Sequence, residues 1–182
     1  MLTLIGYYAY VKDMYLGKTT PHFFSWFIWG LLTSIVFFIQ YSDGGGIGTW
    51  VTATTGAITL LIAFFALGNK NDNIVNSDWI SFSLALFALP LWFITENPLY
   101  SLLLIIGIDA LGYFPTIRKS WNNPYSETLI HHFLAGVKFI PAIITLEHFS
   151  FVTSAYPIFL VVANLSLYFM LILRRKYIKD ED

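Results

Sequence analysis

The chain has 182 residues, of which 57% are apolar, 19% are aromatic and 12% are charged. Soluble domains carry about 25% charged residues, so this composition indicates a protein whose surface mostly faces lipid. The net charge of −1 gives no sign of a nucleic-acid partner, and the absence of cysteine excludes disulfides and thiolate metal sites.

Seven apolar segments follow one another along the chain, joined by short connections. Most have roughly 17–23 residues, the length that crosses a ~30 Å hydrocarbon core as a helix. They lack the alternation of strands, and lipid offers no partner to unpaired backbone groups, so we expect helices. In chain order the segments are Met1–Leu16, Phe23–Gln40, Thr49–Leu67, Trp79–Thr95, Pro98–Ile117, Thr128–Leu146 and Phe151–Leu173.

Lysine and arginine collect in the connections and tails on one side of the predicted bundle, nine against none. The nine are Lys12, Lys18, Lys70, Arg118, Lys119, Arg174, Arg175, Lys176 and Lys179. The opposite side carries Asp43, Glu96 and Glu147. Because basic loops stay in the cytoplasm, this distribution predicts an outside N-terminus and a cytoplasmic C-terminus.

The stretch 112–128 has a counterpart in the stretch 6–25. Each has a glycine followed by two aromatic residues and a later basic residue, and each closes with Pro-x-x-x-Ser or Pro-x-x-x-Thr, beginning at Pro21 and Pro124. The chain therefore contains an internal repeat.

This repeat predicts the architecture. Two three-helix units in tandem would point in opposite directions, and segment 4 supplies the extra crossing that makes them parallel. We therefore predict an all-α membrane protein with seven transmembrane helices in a 3+1+3 arrangement about a pseudo-twofold axis along the membrane normal. Residues 1–68 form the first bundle, 69–97 the inversion linker with helix 4, and 98–182 the second bundle and a cytoplasmic tail.

The second copy of the repeat resembles the PQ-loop signature. It reads Tyr113-Phe114-Pro115-Thr116, with threonine in place of the usual glutamine, followed by Lys119-Ser120 and the proline motif. The predicted topology is also similar to that of PQ-loop and SWEET proteins, which have two triple-helix bundles joined by a linker helix. Members of that family move small solutes such as sugars and amino acids by alternating access.

The resemblance also implies hinges and a second function. SWEET-like members have hinge prolines in helices 1, 2, 5 and 6, and Pro115 matches the helix 5 position, whereas Ala9 stands at the helix 1 position. Pro21 and Pro124 are further hinge candidates, and a structural kink without gating is the alternative for Pro115. A relative of similar fold, the KDEL receptor, binds cargo peptides, so a membrane receptor is the alternative function.

Two ionisable residues lie deep within predicted helices. Asp109 is about 16 Å from the outer end of segment 5, and Lys138 is about 12 Å from the outer end of segment 6. A charge at this depth is costly, so such groups are paired, cavity-facing or neutral. We predict an ion pair that binds a polar or zwitterionic solute or exchanges a proton, with a purely structural pair as the alternative.

Further candidates for solute contact are Asn164, Thr55, Trp29 and Trp92. SWEET-like members carry a cavity asparagine on the third helix of each bundle, and Asn164 has a similar place, with threonines such as Thr55 at the equivalent region of segment 3. The tryptophans lie deeper than interfacial anchors and could stack on a sugar ring. The alternatives are helix–helix hydrogen bonds for Asn164 and lipid anchoring for the tryptophans.

His131 and His132 are candidates for a proton-linked gate, because histidine titrates near neutral pH. The alternative is a water-facing pair at the membrane interface. Metal binding is not expected, since adjacent helical histidines diverge by about 100°.

The leading hypothesis is a carrier of a small polar solute in the inner membrane of a bacterium, without enzymatic activity or a cofactor. The lipid bilayer and the solute are its predicted partners, no nucleic acid is expected, and proton coupling and homo-oligomerisation are open alternatives.

Overall fold

The computed structural model describes residues 2–67, 75–76, 79–80, 82–83, 86–87, 90, 94 and 97–178. Within these residues the chain is helical and contains no strand. The helices are α1 Leu2–Tyr15, α2 Phe23–Ser42, α3 Trp50–Ala66, α4 Pro98–Asn122, α5 Leu129–Val137, α6 Phe139–Ile144 and α7 Phe151–Tyr177. Most of segment 4, including the candidate Trp92, lies outside the described residues, as do Lys70, Glu96 and Lys179.

Four described helical stretches are long and apolar enough to cross a membrane. They are Phe23–Ser42, Gly46–Ala66, Leu99–Asn122 and Phe151–Tyr177, and Leu129–Ile144 is a shorter apolar stretch. Large apolar side chains such as Phe38, Phe64 and Phe169 stay exposed on these helices, as a lipid-facing surface requires. The described residues therefore form an all-helical membrane protein.

Helix boundaries follow local capping signals. The Asn97 side chain accepts a hydrogen bond from the backbone N–H of Leu99 at 2.9 Å, and Pro98 fills the first helical position of α4. At α7, Ser150 and Thr153 form a capping box. These signals explain why α4 and α7 begin at the residues where segments 5 and 7 were predicted to begin.

Segment 6 does not form one unbroken helix. The chain forms α5 and α6 with Lys138 between them. Pro141 has no N–H to donate to the carbonyl of Val137, four residues earlier, so the helical ladder is interrupted at this point. Lys138 consequently lies at a break in the helix, at the depth of the cavity described below.

The helices pack in two sets that cross each other. Helix α3 packs on α2 and α1, and α7 packs on α4, α5 and α6. Between the sets, α1 packs on α5, and α2 packs on α4. The main core lies along α2 and α4, where Ile28, Leu32 and Val36 meet Leu102 and Ile105.

The two ends of the bundle differ in charge. The end where α1, α4 and α7 finish, here called the basic end, carries the described residues Lys12, Lys18, Arg118, Lys119, Arg174, Arg175 and Lys176. The opposite end, here called the acidic end, carries Asp43 and Glu147 and includes the connections from α2 to α3 and from α6 to α7.

Helices α2 and α3 approach closely at Gly30, which provides a test of their packing. A Cβ added at Gly30 would lie 2.8 Å from the backbone nitrogen of Leu60. We expect Gly30→Ala to destabilise the protein by roughly 1–3 kcal/mol, because one helix must shift. Among the described residues nothing lies within 4 Å of a Cβ added at Gly107, so Gly107→Ala is the matched control. Equal melting temperatures of both variants in detergent would contradict the close approach.

Candidate functional site

A small cavity of about 40 Å³ lies where the helices cross. All seven described helices, α1 to α7, contribute side chains to its lining. A water molecule needs roughly 10–15 Å³ measured in this way, so the cavity holds a few waters or one small solute. Its position at the centre of the bundle makes it the candidate site.

Six of the predicted site residues line this cavity. They are Lys138, Asn164, Thr55, Trp29, His131 and His132. They come from α2, α3, α5 and α7 and from the break between α5 and α6, so residues distant in sequence converge on one volume. Asp109, a predicted solute-contact residue, is fully buried and does not line the cavity.

Asp109 connects to the cavity through a chain of hydrogen bonds. The Tyr156 hydroxyl donates to Asp109 Oδ2 at 2.8 Å and lies 2.8 Å from Thr33 Oγ1. Because that hydroxyl has one proton, Thr33 is the donor in the second bond. Thr33 lines the cavity, whereas Asp109 is fully buried, with no hydrogen-bond partner for Oδ1 among the described residues.

The predicted ion pair between Asp109 and Lys138 is not formed. Within the described part of the chain, no carboxylate lies within ion-pair distance of Lys138. The two residues were predicted at similar depth on consecutive segments, but the helices α4 and α5 that carry these segments pack mainly on other helices. Helix α4 faces α2 and α7, whereas α5 packs on α1 and α7.

Lys138 is enclosed by aromatic rings. Its side chain is 3% exposed, and Nζ lies 4.8 Å from the ring centroid of Tyr7 and 5.0 Å from that of Phe139. Ring faces attract an ammonium group, and more strongly once it is removed from water. The rings stabilise the cation but do not neutralise its charge.

Both candidate gate histidines are buried, so the interpretation as a water-facing pair is wrong. His131 is 5% exposed, lies against the rings of Tyr7 and Tyr10, and places Nδ1 3.2 Å from the carbonyl oxygen of Gly6. His132 is 1% exposed and places Nε2 3.2 Å from Glu127 Oε2. Helix α5 is covered by α1 and α7 at this level, which removes these rings from water.

Glu127 joins the cavity lining to the basic end. It lies in the connection before α5, is almost fully buried, and forms an ion pair with Lys119 in addition to the contact with His132. Burial alone would raise the pKa of Glu127, but the charges and hydrogen bonds of Lys119 and His132 outweigh it and lower the pKa to about 2. Glu127 is therefore a carboxylate at neutral pH.

Polar contacts between the two helix sets close the basic end. Lys119 Nζ donates to the carbonyl of Thr20 at 2.6 Å, which ties α4 to the α1–α2 connection. The Thr128 hydroxyl donates to Asp13 Oδ2 at 2.9 Å and lies 2.8 Å from the hydroxyl of Thr19. These bonds join the stretch before α5 to the end of α1.

Similar contacts close the acidic end. The Ser150 hydroxyl donates to Asp43 Oδ2 at 2.8 Å, and His148 Nδ1 lies 3.0 Å from the Asp43 carbonyl oxygen. Below them, Gln40 Nε2 donates to the carbonyl of Thr153 at 2.8 Å. The cavity is thus separated from both ends by hydrogen bonds between side chains and loops.

The candidate hinge prolines lie at the basic end. Pro115 is buried within α4, which continues through it, and the next residue, Thr116, donates to the hydroxyl of Ser25 at 3.2 Å. Pro124 opens a 3-10 turn, and its carbonyl accepts from Arg175. Pro21 is buried just before α2.

The sequence did not indicate Thr33, Tyr156 or the ion pair of Glu127 with Lys119. Tyr156 lies about two helical turns before Asn164 on α7. Glu127 and Lys119 belong to one predicted connection, and no local pattern pairs them. Among the described residues, no group of three His, Asp or Glu side chains is arranged to hold a metal ion.

Searches against protein-family models, curated proteins and solved structures gave no significant match to this chain. The resemblance to PQ-loop proteins therefore stays a prediction based on the motif and the topology.

The Glu127 ion pair makes stability depend on pH. A carboxyl whose pKa falls from 4.5 to about 2 on folding stabilises the protein above pH 4.5, and this contribution is lost as pH falls towards 2. We expect Glu127→Gln to lower the free energy of unfolding by about 3 kcal/mol at pH 7. In detergent, the difference in melting temperature from the wild type should shrink below pH 4.5.

Glu147→Gln is the matched control, because Glu147 is an exposed carboxylate at the acidic end. We expect it to change the melting temperature little. A difference for Glu127→Gln that stays constant between pH 7 and pH 3 would contradict the buried carboxylate.

Tyr156 supplies the hydroxyl that bonds Asp109, so Tyr156→Phe leaves a buried carboxyl group without that donor. We expect a loss of roughly 1–3 kcal/mol in unfolding free energy, measured by thermal or denaturant unfolding in detergent. Tyr168→Phe, on the same helix, should be nearly neutral. Equal effects of the two changes would show that the bond to Asp109 contributes nothing.

Proposed function

We propose that this protein is a transmembrane carrier that moves a small polar solute by alternating access, on a fold like that of PQ-loop and SWEET proteins. The observation that carries the proposal is the central cavity, which has a polar and aromatic lining, together with the hydrogen bonds that join the two helix sets at both ends of the bundle. Such hydrogen bonds can break at one end of the bundle while those at the other end stay formed. Alternating access requires this, because the cavity must open to one side at a time.

The helix contacts support a duplicated fold with 3+1+3 architecture. If α1, α2 and α3 correspond to α4, the α5–α6 pair and α7, then the contact of α1 with α5 corresponds to that of α4 with α2. The contacts of α3 with α1 and α2 correspond in the same way to those of α7 with α4 and α5. Such matching contacts are expected of two bundles related by a pseudo-twofold axis.

The charge at the two ends supports the proposed orientation. The described lysines and arginines other than Lys138 lie at the basic end, and by the positive-inside rule this supports a cytoplasmic location for that end and an outside N-terminus. The proposed hinges Pro115, Pro21 and Pro124 would then lie at the cytoplasmic gate.

A receptor is the second candidate, and one observation favours it. A groove of about 800 Å³ opens at the basic end, between the α1–α2 connection and the α4–α5 connection. A volume of this size is typical of ligand sites. A receptor of this kind would keep one opening, whereas a carrier exposes its central cavity to each side in turn.

Cysteine labelling separates the two candidates without knowledge of the solute, because the chain has no native cysteine. Thr55→Cys places one thiol in the cavity. We expect a membrane-impermeant methanethiosulfonate to label it both in right-side-out and in inverted vesicles, since a carrier opens to either side. Leu61→Cys, exposed on the outer surface of the same helix, is the control that stays unlabelled.

Cross-links then close one end at a time. A cysteine pair at Thr20 and Ser126, whose backbones are hydrogen-bonded at 3.4 Å, should abolish labelling of the Thr55→Cys thiol from the basic side and leave labelling from the acidic side intact. A pair at Asp43 and His148 should have the reverse effect. If the Thr55→Cys thiol is labelled from one side only before any cross-link is made, the result would contradict the carrier and favour the receptor.

A further inference from the structure

The described lining of the cavity contains basic side chains and no acidic one. Among its described lining residues Lys138 is the one lysine or arginine, and neither aspartate nor glutamate is present. A zwitterionic or cationic solute would need a carboxylate on the wall, and this lining offers none.

Two buried carboxylates lie outside the lining, and each has a partner within the protein. Asp109 accepts from Tyr156 behind the wall, and Glu127 is held by Lys119 and His132 towards the basic end. Lys138 itself has ring faces around it and no carboxylate within ion-pair distance in the described ranges. A buried ammonium without a counter-charge is unfavourable, so an entering anion gains more at this place than a neutral solute.

Three hydroxyl groups of the cavity lining, on Tyr7, Thr55 and Thr59, donate their protons within the protein. Thr59 donates to the carbonyl of Thr55 at 2.7 Å, which leaves Tyr7 as the donor in its 2.7 Å bond with Thr59. Thr55 donates to the carbonyl of Val51 at 2.6 Å. Lys138 therefore keeps donor hydrogens for a solute, whereas these hydroxyl groups do not.

The rest of the wall combines polar side chains with a set of aromatic rings. Trp26, Trp29 and Tyr113 line the cavity, and their rings form a continuous set, with centroids 5.8 Å apart for the first pair and 4.7 Å apart for the second. Such faces suit a hydrocarbon group and not a second charge. The volume of about 40 Å³ restricts a solute that fits without rearrangement to a few heavy atoms.

We infer that the solute is a small organic monocarboxylate, whose carboxylate pairs with Lys138 and whose apolar part lies against the tryptophan and tyrosine rings. This inference rests on the proposed function, because it names the class of solute for the same cavity. Because Lys138 does not pair with Asp109, the expected class of solute changes from a zwitterion to an anion.

Binding to the purified full chain in detergent tests the class. The probes are sodium acetate and sodium propionate, each compared with the neutral amide of the same shape at equal ionic strength. We expect calorimetric binding and a rise in melting temperature for at least one carboxylate and for none of the amides. Equal binding of a carboxylate and its amide, or binding of neither series, would overturn the inference.

Variants then locate the charge. Lys138→Gln should weaken carboxylate binding by at least about tenfold, because the buried counter-charge is removed. Lys138→Arg keeps the charge and should retain more binding than Lys138→Gln, which controls for misfolding. Lys18→Gln removes an exposed lysine of the groove at the basic end and should bind like the wild type. A loss in Lys18→Gln alone would place the anion in that groove and overturn the inference.

Uptake of the radiolabelled carboxylate into proteoliposomes separates this inference from the proposed function. Binding that depends on Lys138 without any uptake would sustain the anion site and refute the carrier. Uptake of a neutral solute that is unchanged in Lys138→Gln would sustain the carrier and refute the anion site.

Discussion

A polar side chain buried in a membrane protein must find its partners within the protein, because lipid supplies none. This constraint explains most of the interior of the bundle. Tyr156 bonds both Thr33 and Asp109, Asn164 donates to Tyr113 at 2.9 Å, and Glu127 takes Lys119 and His132. Each of these contacts ties one helix or connection to another, so they fix how the helices cross.

Lys138 gives the cavity its chemical character. The interruption caused by Pro141 places it between α5 and α6, and ring faces of Tyr7 and Phe139 surround its ammonium group. Its neighbours satisfy one another and leave the cation without a carboxylate in the described structure. A site with a lysine and no carboxylate favours an anion, and the polar contacts at the two ends of the bundle control access to it.

The sequence predicted the helical class, most helix boundaries and four of the solute-contact candidates, because apolar length, caps and deep polar residues are local signals. It did not predict which helices touch. Asp109 and Lys138 were paired because their predicted depths in the membrane are similar. However, α4 packs on α2 and α7, whereas α5 packs on α1 and α7, and such helix pairing depends on tertiary packing. The burial of His131 and His132 was missed for the same reason, since α1 and α7 cover them.

The most direct measurement of the central claim is a pair of distances from electron paramagnetic resonance in lipid nanodiscs. One spin-label pair, at Lys18 and Asn123, spans the basic end, and another, at Tyr41 and His148, spans the acidic end. Alternating access predicts two populations at each end, with conditions that widen one end narrowing the other. A single distance at each end, unchanged by pH or added carboxylate, would contradict the account.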